Sequence, residues 1–334
     1  MHMADALVSP AVAGTMYVAS AGVAAYAIKK IREEDDRKKI PVMGVMGAFI
    51  FATQMLNFTI PGTGSSGHLC GGMLASALLG PWAGFLTMIG VLLVQCLLFA
   101  DGGLLALGCN IWNMAFYGCF LGALWIWRPM MQRGVTRKKI IVASVLGSVI
   151  TLQLGAFSVS LETVASGISE LPFAVFVATM QPIHLAIGAV EGLITAAVLV
   201  FVHEARPEML WSAAPSQKSS RLSRGWTLGI IAVVAALFGG VVSHFASENP
   251  DGLEWSMEQV AGTTELAASG NAYDAAAKIQ ETTSLLPDYA FLSGNGGTSF
   301  SGIVGALVVV LVCVGLSMLI RVAKRHRNVE SAEA

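Results

Sequence analysis

Charge is what this sequence has least of. Of 334 residues only 12% carry a formal charge and 55% are apolar, against about 25% charged in an ordinary soluble domain. That balance excludes a soluble globule. Twenty basic residues stand against 21 acidic ones, so no basic excess exists to hold a nucleic-acid partner. No GxxxxGK[ST] string occurs, nor a single Gly-Lys pair, which excludes a Walker A site for ATP. HExxH and nucleophile-elbow strings are missing too, so neither the zinc-peptidase nor the serine-hydrolase pattern is present. Cysteine is scarce: Cys70, Cys96, Cys109, Cys119 and Cys313 form no CxxC pair and lie in or beside apolar runs. They read as small core residues.

What the chain does have is apolar runs, at 9–28, 41–60, 68–80, 81–100, 104–127, 140–161, 171–202, 226–245 and 299–320. Most approach the roughly 20 residues that cross a hydrocarbon core as a helix. The expected fold is an all-α polytopic membrane protein. Nineteen of the 20 basic residues fall in 29–39, 128–139, 203–225 and 321–327, Lys278 being the exception. Short loops rich in Lys and Arg stay cytoplasmic, so these four segments are expected on one side of the membrane. The segment 246–298 carries eight acidic residues and is expected on the other.

Parity then settles the doubtful stretch 68–100. Two crossings, with a tight cytoplasmic turn at Gly80-Pro81, keep all four basic segments inside. The short run 68–80 must then rest partly buried among other helices. This topology puts Met1 and the loop 61–68 outside and the C-terminus in the cytoplasm. A cleaved signal peptide fits poorly, because no basic residue precedes the first apolar run. The expected organisation is a seven-span domain over 1–205, a cytoplasmic linker at 206–225, a two-span accessory unit over 226–322 with its external loop at 246–298, and a cytoplasmic tail at 323–334.

His2 is the sharpest local feature. A free Met1 amine, the amide nitrogen of residue 2 and the imidazole Nδ1 of His2 can close two fused chelate rings around one cation. Such planar nitrogen sets suit Ni²⁺ or Cu²⁺, and binding releases protons. His68, ending the glycine-rich run Pro61-Gly-Thr-Gly-Ser-Ser-Gly-His68 on the same side, is a candidate fourth donor. The bland alternative is a solvated His2 at an accidental start.

Three strings together resemble the substrate-binding M component of nickel and cobalt energy-coupling-factor transporters. They are Met1-His-Met-Ala-Asp-Ala-Leu-Val-Ser-Pro10, Asn57-Phe-Thr-Ile-Pro-Gly-Thr-Gly-Ser-Ser-Gly-His68 and Ala100-Asp-Gly-Gly-Leu-Leu-Ala-Leu-Gly-Cys-Asn110. The similarity covers about residues 1–205, including Glu191-Gly-Leu-Ile-Thr195. Residues 226–322 resemble the accessory N component, with Pro250-Asp-Gly-Leu-Glu254 its signature and Pro287-Asp-Tyr289 fitting its later part. The resemblance implies an N-terminus inserted into the protein and a metal held by Met1, His2 and His68. Met3 stands where many relatives carry isoleucine, an apolar residue either way. The cargo it implies is Ni²⁺ or Co²⁺, and the planar nitrogen set puts Ni²⁺ first. The implied partners are a Q/T-type transmembrane coupling subunit and two O/A-type ATPase subunits, all in the cytoplasmic membrane of a prokaryote.

Further residues are candidates for roles around the site. Asp5, Ser65 and Ser66 are placed to orient the two histidines, as acceptors usually do for metal-bound imidazoles. Asn110 is a partner of the site or helix glue. His184 and Glu191, seven residues apart on one helix face, are an intramembrane gating pair or structural hydrogen-bonding groups. Gly44, Ala48 and Ala52 make a small-residue stripe that docks the coupling subunit or packs inside the chain. The rival from another class is a proton-coupled carrier or membrane enzyme centred on Glu191 and His184; a passive channel is a further rival.

Overall fold

The computed structural model describes residues 1–34, 36–169, 171–214, 220–291 and 296–333. Helix α1 is Pro10–Glu34 and α2 Lys39–Gln54; strands β1 (Phe58–Ile60) and β2 (Ser65–Gly67) follow. Then come α3 (Gly72–Leu79), α4 (Pro81–Phe99), α5 (Leu107–Met131), α6 (Arg137–Ser166) and α7 (Phe173–Ala205). The C-terminal region contributes α8 (Arg224–Gly240), α9 (Gly252–Ala261), α10 (Asn271–Thr283) and α11 (Gly297–Glu333). Six of these are long and apolar enough to cross a membrane, and α2 and α8 are shorter apolar helices. With the buried α3, each of the nine apolar runs carries a helix among the described residues.

Local chemistry explains the boundaries. Gly80 has φ 80° and ψ 169°, a backbone that side-chain-bearing residues avoid, and Pro81 starts α4 at a position where its missing N–H costs nothing. That turn separates α3 from α4 as the sequence suggests. Thr136 caps α6 by accepting from Lys139 N–H, and Ser223 caps α8 by accepting from Trp226 N–H. Between Ile111 and Trp127 helix α5 widens to π-type turns.

Two expectations need correction. The second run does not stay helical to residue 60: it ends at Gln54, and 58–67 forms a short antiparallel hairpin pairing Phe58 with Gly67 and Ile60 with Ser65. Gly62 and Gly64, at φ 78° and 75°, supply its turn. The linker after Ala205 is not a free tether either. Trp211 donates its N–H to the Ala77 carbonyl, accepts from the Trp127 indole, and lays its ring against Gly80. The half-buried indole packs part of its large apolar area there, so the segment closes one end of the bundle. Residues 215–219 of that linker, 292–295 of the acidic loop and Ala334 of the tail lie outside the described residues.

The two ends of the bundle differ. Arg224 bonds to the Lys38 carbonyl, Arg137 pairs with Glu204, and Ala214 N–H reaches the Met131 carbonyl, which gathers segments 29–39, 128–139 and 203–225 at one end. Residues 1–8, 57–69, 95–106 and 246–290 gather at the other. Large apolar side chains on the outside of α6, α7, α8 and α11, among them Leu146, Leu161, Leu193, Val233 and Leu311, are exposed to the surroundings that lipid would fill.

Candidate metal-binding site

Residues 1–7 enter the bundle instead of trailing from it. Met1 and Met3 are buried, and Asp5–Leu7 forms a single 3-10 turn before α1. Asn110 on α5 holds residue 3 from both sides: its Oδ1 accepts from Met3 N–H at 2.7 Å and its Nδ2 donates to the Met3 carbonyl at 3.1 Å. Gly103 N–H donates to the same carbonyl at 2.9 Å. The amide side chain thus replaces a backbone partner for a segment that has no strand or helix beside it.

This seating brings Met1, His2 and His68 together. The Met1 amine lies 2.9 Å from His68 Nε2, and the imidazoles of His2 and His68 stack with centroids 5.0 Å apart and a tilt of 22°. Metal–nitrogen bonds of about 2.0–2.1 Å put neighbouring donors of a planar set about 2.9 Å apart, so the amine and His68 Nε2 are spaced as adjacent corners. His68 Nδ1 faces the Leu69 carbonyl at 3.0 Å, which fixes the ring and leaves Nε2 as the donor. Among the described residues no group of three or more His, Cys, Asp or Glu side chains surrounds a common point.

Asp251 and Asp101 set the electrostatics. Asp251, at the start of α9, forms an ion pair with the Met1 amine, and its Oδ2 is 3.7 Å from His68 Nε2. Burial alone would push the amine down, but the Asp251 charge and hydrogen bond outweigh it and raise its pKa. Burial would likewise raise the Asp251 carboxyl; the amine and His68 hold it well below the usual carboxylate range. His2 is pushed down to about 4, by burial first, against the opposing charge of Asp101. Its imidazole is therefore neutral at neutral pH and fit to be a ligand.

His2 also sits in a closed ring of partners. Its Nδ1 is 3.1 Å from Asp101 Oδ1; Asp101 Oδ2 accepts from the Tyr289 hydroxyl; Gln95 Nε2 donates to that hydroxyl at 3.4 Å; and Gln95 Oε1 lies 3.3 Å from His2 Nε2. Tyr289 is anchored by stacking on Phe99 at 4.7 Å. Gln280 on α10 donates to the carbonyls of Cys96 and Gly102, and Tyr273 donates to that of Val8. The acidic segment is thus folded onto the N-terminus.

Several expected partners turn out to do something else. Asp5 accepts from Ala106 N–H, not from a histidine. Ser65 and Ser66 bond to the Asn249 and Pro250 carbonyls; their strand faces the accessory unit, so they hold that segment and not His68. Glu191 accepts from the N–H groups of Cys70 and Gly71 at 2.7 and 3.1 Å, anchoring the chain just after His68. His184 faces the Met180 carbonyl at 2.8 Å. The two have separate partners, so their shared helix face makes no pair. The stripe Gly44, Ala48 and Ala52 is buried, with Val310 and Val314 of α11 against Gly44; the chain's own last helix takes the place expected for a partner subunit. Asp101, Gln95, Asp251, Gln280 and Tyr289 carried no separate signal. Three of them do lie inside strings that bear the resemblance.

Comparison with known proteins is decisive at the level of family. Residues 2–209 match the CbiM model, described as the cobalt uptake substrate-specific transmembrane region, and residues 225–322 match the PDGLE domain. The chain belongs to the CbiM family. A protein of Archaeoglobus fulgidus named as a fused nickel transport protein, NikMN, is 34% identical over 97% of this chain and all of its own length. The fused nickel transport protein NikMN of Rhodobacter capsulatus is 28% identical over 98% of this chain and 99% of its own. The cobalt transport protein CbiM of Geobacter sulfurreducens is 29% identical over 63% of this chain and 61% of its own. A crystal structure of a truncated transition metal transporter aligns with TM-score 0.54 and 31% identity, covering 61% of this chain and 99% of that one. The chain is accordingly a multi-pass membrane component for nickel or cobalt transport, and not an enzyme.

Proposed function

We propose that this chain is the substrate-capture component of an ATP-driven energy-coupling-factor importer, with Ni²⁺ as cargo and Co²⁺ as the alternative. The carrying observation is the buried Met1 amine 2.9 Å from His68 Nε2 with His2 stacked beside it. The donors are the Met1 amine, the His2 amide nitrogen and Nδ1, and His68 Nε2. Planar nitrogen coordination favours nickel among the cations in question.

Binding has a defined chemistry. The amine gives up a proton and exchanges Asp251 for the metal, the amide loses its proton, and His2 Nδ1 turns from Asp101 to the cation. Protons are released as a result, and affinity rises with pH. A coupling membrane subunit and two ATPase subunits supply the energy, since this chain has no phosphate loop. The metal site faces outward in this reading and the basic end faces the cytoplasm.

The test is direct metal analysis of the purified chain. Extending the N-terminus by one residue, or changing His2 or His68 to Ala, is expected to abolish stoichiometric Ni²⁺ binding. Full metal content in the extended chain sinks the chelate. Competition among Ni²⁺, Co²⁺ and Cu²⁺ on the same protein decides the cargo.

A further inference from the structure

Every position of Pro250-Asp-Gly-Leu-Glu254 has a physical task. The Pro250 carbonyl accepts from Ser66 N–H at 2.8 Å, which ties the string to β2. At Gly252 a Cβ would stand 2.9 Å from Ile187 Cδ1 and 3.0 Å from His184 Cε1, so a side chain there would lift the string off α7. Leu253 is buried in the core. Asp251 and Glu254 form a capping box: Asp251 Oδ1 accepts from the N–H groups of Leu253 and Glu254 at 2.7 and 3.0 Å, and Glu254 accepts from Asp251 N–H at 3.0 Å.

That leaves Asp251 Oδ2 with no duty in the helix. It is held instead against two of the four nitrogens assigned to the metal, on the Met1 amine and 3.7 Å from His68 Nε2. The same carboxylate borders a cavity of about 400 Å³ whose other acidic walls are Asp5, Asp101, Glu254, Glu265 and Asp288. Asp5, Asp101 and Glu254 have partners of their own, on Ala106 N–H, on His2 and Tyr289, and on Asp251 N–H. Asp101 joins the cavity to one donor, His2 Nδ1, whereas Asp251 joins it to two, the Met1 amine and His68 Nε2.

We propose that Asp251 is the capturing ligand of the transported cation. A hydrated divalent ion entering the cavity exchanges one water for Asp251 Oδ2, a hard oxygen donor suited to an ion still carrying water. It is then held within reach of the amine and His68 while the nitrogens replace the remaining waters, and the amine and amide protons leave to solvent. The accessory unit thereby contributes a ligand during loading that the final planar set does not retain. This rests on the N-terminal chelate assigned above.

The test uses the purified full chain and the initial rate of Ni²⁺ loading. Asp251→Asn keeps the cap, because asparagine is as good an N-cap as aspartate, but removes the anionic donor. Its loading rate is expected to fall about 10-fold or more, whereas Asp288→Asn, which changes only the field of the cavity, lowers it about 2-fold at most. Asp251→Glu, with the carboxylate restored, is expected to recover most of the rate. Asp251→Asn loading at the wild-type rate or faster overturns the proposal, and so does Asp251→Glu loading as slowly as Asp251→Asn. The His68→Ala and extended chains are run alongside. If those retain stoichiometric nickel, the chelate itself fails; if they lose it while Asp251→Asn loads normally, only the capture role fails.

Discussion

Asn110 shows how a single side chain can seat a terminus. It satisfies both backbone groups of Met3 in a buried setting, and a buried group left unpaired costs about 1–3 kcal/mol. Asn110→Ala is therefore expected to lower stability by about that amount and to weaken nickel binding about 10–100-fold, read by thermal unfolding and metal titration. Glu191 separates two classes of mechanism. As the acceptor for Cys70 and Gly71 N–H, it positions the chain at His68, and Glu191→Gln leaves one of those donors poorly met. The expected outcome is nickel binding weaker by about 10-fold in the purified chain. Unchanged binding together with abolished uptake would instead support the rival proton-coupled carrier.

Between elements, close approach decides the architecture. Helices α8 and α11 cross where Gly239 and Gly302 meet, and a Cβ on Gly239 would lie 3.1 Å from the Gly302 carbonyl. Small residues at such crossings let backbones pack without an intervening side chain. Gly302→Val is expected to destabilise the accessory unit by about 1–3 kcal/mol through overpacking, seen as an earlier unfolding transition and faster proteolysis in 246–291. The stripe on α2 follows the same physics. Gly44 admits Val310 and Val314, so in this chain the small-residue face serves an internal contact.

For the molecule as a whole, cysteine labelling reads orientation directly. All five native cysteines are buried, so single exposed cysteines report cleanly. Ser269→Cys is expected to react with an impermeant maleimide in intact cells, and Arg133→Cys only after permeabilisation; the reverse pattern overturns the proposed sidedness. Much of this architecture was legible beforehand. Nine apolar runs, the turn at Gly80-Pro81 and the clustering of basic segments at one end all follow from local composition and from the cost of moving charge across hydrocarbon. The hairpin at 58–67 was not legible, because Phe58–Ile60 is apolar and short enough to pass as the end of a helix.

The site divides along the same line. Chain chemistry alone made Met1 and His2 candidate donors, because an amine, an amide and an imidazole adjacent in sequence chelate by local geometry; His68 was a candidate fourth donor, and the family resemblance implied the full set. Nothing local could reveal that Asp251 would lie on the Met1 amine 250 positions away, or that Tyr289 and Gln95 would close a ring around His2 through Asp101. Those contacts exist because Ser66 holds Pro250, Gly252 admits α7, and Phe99 stacks on Tyr289. Periodicity and charge placement are summed along the chain, whereas partners of a buried charge are chosen by whatever packing brings within 3 to 4 Å.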